Sequence, residues 1–206
     1  MVIMAIGVRP NTDFISGIDK LKNGAIITDD QMCTSLQGVY AAGDCATVKH
    51  RLTGKSVYIP LGTNANKQGR LAGDSLLGKK VSLARALGTS MIRCLDLELA
   101  KTGLTRRQAL DEGIDADSVT VEAKSHARYY PDSVPIRISL CFRKADQVLL
   151  GAQLAGAKET ALRIDVLACA IDRGMTANEL GFLDLGYAPP FSAVWDAVQI
   201  AANAIK

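Results

Sequence analysis

Thr34-Ser35-Leu36-Gln37-Gly38-Val39-Tyr40-Ala41-Ala42-Gly43-Asp44 is the stretch on which the reading of this chain turns. Residues Gly38 to Gly43 are small and apolar on both faces, as suits a strand buried in a parallel sheet. The run closes on a glycine and then a carboxylate. In open parallel sheets, ligands sit just beyond the carboxyl ends of strands. Gly43 would let a ligand approach the backbone closely, and Asp44 offers an acceptor for sugar-alcohol hydroxyls. Gly-Asp is also a common turn pair, so the neighbouring segments decide between the two readings.

On the amino-terminal side, Val2 to Gly7 reads as a buried strand, broken by Arg9-Pro10-Asn11, and Gly24 to Thr28 as a second short strand. On the carboxyl side, Pro60 to Leu77 takes a helical pattern, with proline near the first turn, where it is favourable. Three strands and one helix do not close a doubly wound domain. The expectation is therefore that more of the domain lies upstream of Met1 and that the chain is a fragment.

Beyond residue 82 the pattern changes. Met91 to Ala100 alternates over much of its length, like a half-buried strand, and Thr105 with Gln108 forms a capping box ahead of a short helix. Val119 to Ala123 is a further strand. Ile136–Phe142 and Val148–Leu154 form a hairpin around Arg143 to Gln147. A helix is expected from Thr160 to Asp172, with Leu162, Val166, Cys169 and Ala170 on one face and Arg163 and Asp165 pointing elsewhere, stopped by Gly174. Thr176 and Glu179 make a second capping box. Pro189-Pro190 precedes a last helix capped by Ser192, with Val194, Ala197, Val198, Ala201 and Ile205 as its buried stripe. Strands followed by helices indicate an antiparallel α+β domain, so the expected division is 1–82 and 83–206.

Composition excludes several classes. The 206 residues are 48% hydrophobic and carry 24 basic against 21 acidic side chains, too weak and too mixed a charge for a nucleic-acid partner. No apolar run approaches the roughly 18 to 20 residues that span a bilayer, and no secretory signal opens the chain, so no membrane partner is expected. Five cysteines, Cys33, Cys45, Cys94, Cys141 and Cys169, form no C-x-x-C pair. Neither a metal site nor a disulfide scaffold follows, and reduced thiols of a cytoplasmic protein are the simpler reading. Gly54-Lys55-Ser56 looks like the end of a phosphate-binding loop, but Lys49 stands where its first glycine is needed.

Three segments in order carry a resemblance: Ala5-Ile6-Gly7-Val8-Arg9-Pro10-Asn11, the stretch ending at Gly43-Asp44, and Ile59-Pro60-Leu61-Gly62-Thr63-Asn64-Ala65-Asn66-Lys67-Gln68-Gly69-Arg70. Together they resemble the re-entry into the FAD domain, the second FAD fingerprint and the following helix of the pyridine nucleotide-disulfide oxidoreductases. The resemblance implies an α/β, Rossmann-like partial FAD-binding segment followed by an antiparallel α+β dimerisation domain. It places Asp44, with Gly43, at the ribityl chain of FAD. It also sets the amides of Leu61, Gly62 and Thr63 at the flavin edge, where the positive end of a helix favours negative charge.

Tyr187-Ala188-Pro189-Pro190-Phe191-Ser192 is similar to a segment of the coenzyme A-disulfide reductase and NADH oxidase/peroxidase branch. No histidine follows His126, which disfavours a glutathione-reductase-like branch. The resemblance implies two tyrosines acting on the acceptor across a dimer, Tyr187 and Tyr129, with Tyr130 close behind; a phenol can donate a proton to a thiolate or peroxide oxygen. His50 and His126 read as surface or satisfied core residues. The family's redox cysteine lies in an upstream segment, so none of the five here inherits its role. The implied whole is a homodimer carrying electrons from NADH or NADPH through FAD to a disulfide, persulfide, peroxide or oxygen, with this piece inactive alone. A non-catalytic dimerisation module and a small flavin-binding protein are the alternatives.

Overall fold

Alternation from Pro135 to Leu140, in the strand β6 (Pro135–Arg143), shows how the larger part of the chain is built. In the computed structural model, which describes residues 1–80, 82 and 85–206, Ile136, Ile138 and Leu140 are fully buried while Pro135 and Arg137 face outward. Successive side chains of a strand point to opposite faces, so this pattern aims one face at a core. The described chain forms two compact units, Met1–Ala86 and Leu87–Lys206. The expected division at 82/83 touches residue 83, which lies outside the described residues.

In the second unit the strands are β3 (Ser90–Cys94), β4 (Leu97–Gly103), β5 (Ala116–Lys124), β6 (Pro135–Arg143) and β7 (Leu149–Gly156), numbered after two short strands of the first unit, β1 (Val48–Lys49) and β2 (Ser56–Val57). They form one sheet in the order β3-β4-β7-β6-β5, with every pair antiparallel. The β6–β7 hairpin stands where the sequence put it. Its turn is closed by a two-bond clasp from Arg143 to Asp146, at 2.8 and 2.7 Å. The stretch read as one strand from Met91 to Ala100 is two. Leu95 enters the left-handed region (φ 54°) and the chain reverses between β3 and β4. The alternation breaks at this turn, where Cys94 and Leu95 are both apolar, and that break was the available signal.

Helices cover one face of the sheet. α3 (Ile164–Asp172) packs on β7 and β4, α5 (Ala197–Asn203) on β5 and β6, and α4 (Ala177–Gly181) on α5. The capping boxes of α2 (Arg106–Asp111) and α4, at Thr105/Gln108 and Thr176/Glu179, are both formed. Two expected helix details are corrected. A 3-10 turn over Ala161–Arg163 precedes α3 and shifts its phase, so Ile164, Leu167, Ala170 and Ile171 are buried while Leu162 and Cys169 are exposed. The cap of α5 is Asp196, not Ser192, and Val194 is exposed. Asp196 wins because its carboxylate reaches the Val198 amide at 2.9 Å. The opposite face of the sheet carries an open groove of about 710 Å³, lined by Met91, Leu99, Lys101, Arg137 and Gln153 among others.

Backbone contact between β4 and β7 is unusually close at Gly151, where an added Cβ would overlap the Leu104 carbonyl. Gly151→Ala is expected to destabilise the chain by about 2–3 kcal/mol through overpacking, read as a lower denaturation midpoint in urea. An unchanged midpoint would show that the two strands separate freely there.

The first unit departs further from expectation. Its core is Ile18, Ile26, Ala41 and Ala46, with Ile15, Leu36, Val39 and Cys45 packed against it. Val2 to Gly7 forms no strand among the described residues, and Val2, Ile3, Met4 and Ile6 are exposed. A strand exists only where a neighbour takes its backbone groups, and the described residues provide none. Gly24 to Thr28 shrinks to Ile26, which bridges Lys20 antiparallel and Ala46 parallel. Gly38 to Gly43 is not a strand of a parallel sheet: the chain turns at Gly38 (φ 75°) and Tyr40 pairs antiparallel with Cys33. β1 and β2 are also antiparallel. The expected Rossmann-like arrangement is therefore not formed by the described residues, whose strands are short and mostly reversed. The helix α1 (Gly62–Leu76) does form, where its pattern placed it.

Candidate functional site

The turn at Gly43-Asp44 is built against α1. Gly43 adopts φ 86°, which glycine tolerates best, and Ala46 N–H closes the turn on the Gly43 carbonyl at 3.0 Å. Gln68, buried in the middle of α1, clamps both ends of this turn. It accepts from the Gly43 amide at 2.8 Å and donates to the Thr47 carbonyl at 2.8 Å. Asp44 stands exposed at the tip. Beside it lies the half-buried Tyr58 phenol, raised above the usual tyrosine range by burial and then by the neighbouring Asp44 and Cys45 side chains.

The first turn of α1 is open. Leu61 caps it in an extended conformation with no side-chain bond, and the turn holds no acidic residue. The Leu61 amide donates to the Ile59 carbonyl at 2.9 Å, and the Asn64 and Ala65 amides return to the Leu61 carbonyl. Gly62 and Thr63 are exposed, so the two amides after Leu61 are the ones set at this positive helix end. Of the three amides singled out by sequence, that of Leu61 is thus already engaged. Gln68 was missed, although it falls on one helical stripe with Leu71 and Ser75. A polar residue on an otherwise inward stripe was the available signal.

A second cluster lies in the Leu87–Lys206 unit. The hydroxyls of Tyr129 and Tyr187, 58 residues apart in sequence, stand 3.5 Å from one another on the surface. Tyr130 turns away and meets the His126 ring edge-on, with centroids 5.8 Å apart. Of the two adjacent tyrosines, the structure therefore brings Tyr129 to Tyr187. His126 is buried with both ring nitrogens engaged, by Ser125 Oγ at 3.0 Å and the Pro131 carbonyl at 2.8 Å. It braces the loop.

The hydrogen bond to Tyr187 holds the Tyr129 phenol above its ordinary range, assisted by slight burial. A raised phenol pKa means that the neutral form is favoured, so removing the partner should move the titration down. In Tyr187→Phe, the ionisation of Tyr129 is expected at lower pH than in the parent, followed by ultraviolet difference absorbance with Tyr129→Phe identifying its step. An unmoved step would mean the two hydroxyls do not interact in solution.

Comparison with known proteins places both units. A family model described as pyridine nucleotide-disulphide oxidoreductase, dimerisation domain, matches residues 90–198, and one described as pyridine nucleotide-disulphide oxidoreductase matches residues 1–69. The chain is 41% identical over 208 aligned residues to the NAD(P)H sulfur oxidoreductase (CoA-dependent) of Pyrococcus furiosus, covering 100% of this chain and 47% of that protein. Among solved structures, it is similar to the NAD-dependent persulfide reductase from A. fulgidus, with TM-score 0.92, 37% identity and coverage of 97% and 38% of the two chains. It is also similar to the water-forming NADH oxidase from Lactobacillus brevis, with TM-score 0.91, 34% identity and coverage of 97% and 44%. The chain spans about half the length of the curated relatives it matches. With its five-stranded antiparallel unit and its amino-terminal segment both matched, this chain belongs to the pyridine nucleotide-disulphide oxidoreductase family.

Proposed function

We propose that residues 1–82 are the closing part of an FAD-binding domain and 83–206 a dimerisation domain. The whole would be a flavoprotein reductase moving electrons from NADH or NADPH through FAD to a disulfide, persulfide, peroxide or oxygen. The observation that carries this reading is the Gly43-Asp44 turn, pinned by Gln68 to a helix whose first turn has no side-chain cap. The residues present fit the cofactor: Gly43 offers a bare backbone, Asp44 an exposed carboxylate for hydroxyls, and Gly62 and Thr63 amides at a positive helix end. When bound, FAD supplies the carrier that accepts hydride from the nicotinamide and passes electrons onward. Antiparallel pairing in the first unit leaves its Rossmann-like character part of this proposal.

Tyr129 and Tyr187 are proposed to serve the acceptor. A neutral phenol donates a hydrogen bond or a proton to a thiolate or peroxide oxygen as that atom gains charge, and the rise at Tyr129 extends its donating form to more alkaline pH. The surface around Tyr187 suits a second copy of the chain. Phe182 and Trp195 stack edge-on with centroids 6.2 Å apart, and Phe191 and Val194 are exposed nearby in sequence. Aromatic groups of this kind are enriched at interfaces. None of the cysteines is given a redox role. Cys141, for example, is buried in the sheet with its thiol pushed up to about 11, which suppresses the reactive thiolate. All five are free, in keeping with a proposed cytoplasmic setting. Among the described residues, no helix is long and apolar enough to cross a membrane.

The test is retention of flavin absorbance by the 206-residue chain after incubation with FAD and gel filtration, together with its sedimentation. Bound flavin and a dimer support the proposal. A dimer without flavin leaves the dimerisation-module reading in its place, and flavin on a strict monomer leaves a small flavin-binding protein. The chain alone is expected not to oxidise NADH at enzyme-like rates.

A further inference from the structure

Tyr129 and Tyr187 sit on separate loops, so something must hold those loops in register. A buried cation between them does so. Arg163, expected from the sequence to point away from the core, has a side chain only 12% exposed, paired with the equally buried Asp196, 11% exposed, at 3.1 Å. Its Nη2 donates to the Ser125 carbonyl at 2.5 Å and lies 3.5 Å from the Phe191 carbonyl, while Nη1 donates to the Glu159 carbonyl at 2.7 Å. Ser125 opens the loop that carries Tyr129, and its hydroxyl accepts from the Val134 amide at 3.1 Å, bracing the loop's far end. Phe191 ends the turn that begins just after Tyr187, its amide bonded to the Ala188 carbonyl at 2.9 Å. The same turn is tied to Asp196 through Ser192 Oγ, at 3.0 Å from Oδ2. Meanwhile Asp196 Oδ1 caps α5 at the Val198 amide.

We propose that Arg163, through Asp196, Ser125 and Phe191, is the positioning residue that brings the Tyr129 and Tyr187 hydroxyls together. The proposal rests on the reading of that pair as the group serving the acceptor. Geometry selects arginine for this task. A planar guanidinium presents donors in a fixed fork and reaches several acceptors at once, whereas a lysine ammonium on a flexible stem is a compact point charge. The fork here spans Glu159, Ser125, Phe191 and Asp196, so Arg163→Lys keeps the charge and loses the span. Burial makes the pair costly to break, since a lone charge left inside is uncompensated. Rotation of either loop away from the other would leave that charge behind.

The experiment measures proximity and not turnover. In a Tyr130→Phe background, the 206-residue chain is photo-oxidised with a ruthenium tris-bipyridyl complex and persulfate, which couples neighbouring phenols into dityrosine. The 129–187 product is then quantified by peptide mass mapping. Mixing unlabelled with nitrogen-15-labelled chain separates coupling within one chain from coupling between two. The parent is expected to give the 129–187 product within one chain, and its absence would overturn the proposal outright. Arg163→Lys is expected to keep the parent's far-ultraviolet circular dichroism and to couple about tenfold less. Parent-like coupling in folded Arg163→Lys overturns the proposal. If that variant does not fold, Asp196→Asn, which keeps an acceptor for the α5 cap, carries the same comparison. A catalytically irrelevant tyrosine pair would leave these yields unchanged, so failure of the functional reading and failure of the positioning role are told apart.

Discussion

In the proposed full-length reductase, Tyr187→Phe is expected to lower kcat about 10²-fold while leaving flavin content unchanged, the low end of what a positioned general acid contributes. The substitution removes one oxygen and keeps the ring, so packing around Pro189 and Pro190 survives. Tyr187 is about half exposed and its hydroxyl meets that of Tyr129 at 3.5 Å, so the variant leaves no buried polar group unpaired. Its effect should therefore fall on chemistry and not on stability. The pH profile sharpens the test. Tyr129 is held above the usual phenol range by its partner, so the alkaline limb of kcat should lie above ordinary tyrosine ionisation and shift to lower pH once the partner is gone. Steady-state kinetics with a disulfide or persulfide acceptor provide both readings. A parent-like kcat with an unmoved limb would remove the tyrosine pair from the mechanism.

Asp44→Ala is expected to weaken FAD binding by about 10- to 100-fold, the range that follows from losing a carboxylate's hydrogen bonds at about 1.5–3 kcal/mol. Asp44 stands exposed on its turn while Gln68 holds the turn from below, so the fold should not depend on its carboxylate. Equilibrium dialysis against FAD measures the loss, with Asp44→Asn separating charge from shape. Equal affinity of Asp44→Ala and parent would mean that the cofactor, if bound at all, is held elsewhere. Gln68→Leu makes the complementary case. It leaves the Gly43 amide and the Thr47 carbonyl without their shared partner in a buried setting, so it should lower thermal stability and flavin affinity together.

Much of this could be read from residues a few positions apart. Thr105 with Gln108 and Thr176 with Glu179 each satisfy two amides within one turn, so the helix starts they mark needed no tertiary information. The β6–β7 hairpin was equally legible, because two largely apolar runs flank a polar turn that Arg143 and Asp146 close locally. The stretch ending at Asp44 and its two flanking segments, in order, pointed to the family, and the Tyr187 to Ser192 segment to the branch. Errors appeared where a turn or a rival cap a few residues away intervened. Leu95 reversed a stretch read as one strand, at the point where Cys94 and Leu95 interrupt its alternation. Ser192 lost the α5 cap to Asp196, and became instead a donor to the Asp196 carboxylate. A 3-10 turn rotated the buried stripe of α3 by changing the residues per turn.

Local chemistry in the sequence alone thus determined the two capping boxes and the start of α1, because each depends on spacing within a turn; the order of elements indicated the antiparallel α+β unit, and the tyrosines worth testing came from the family resemblance. Only the tertiary structure decided that Tyr129 and not Tyr130 meets Tyr187, that Arg163 turns inward to Asp196, and that Gln68 clamps the Gly43-Asp44 turn. It also decided that Val2 to Gly7 lies without a sheet partner among the described residues. The reason is physical: a hydrogen bond or ion pair between residues tens of positions apart is set by where whole elements pack, and apolar periodicity carries no record of which polar group will be waiting there.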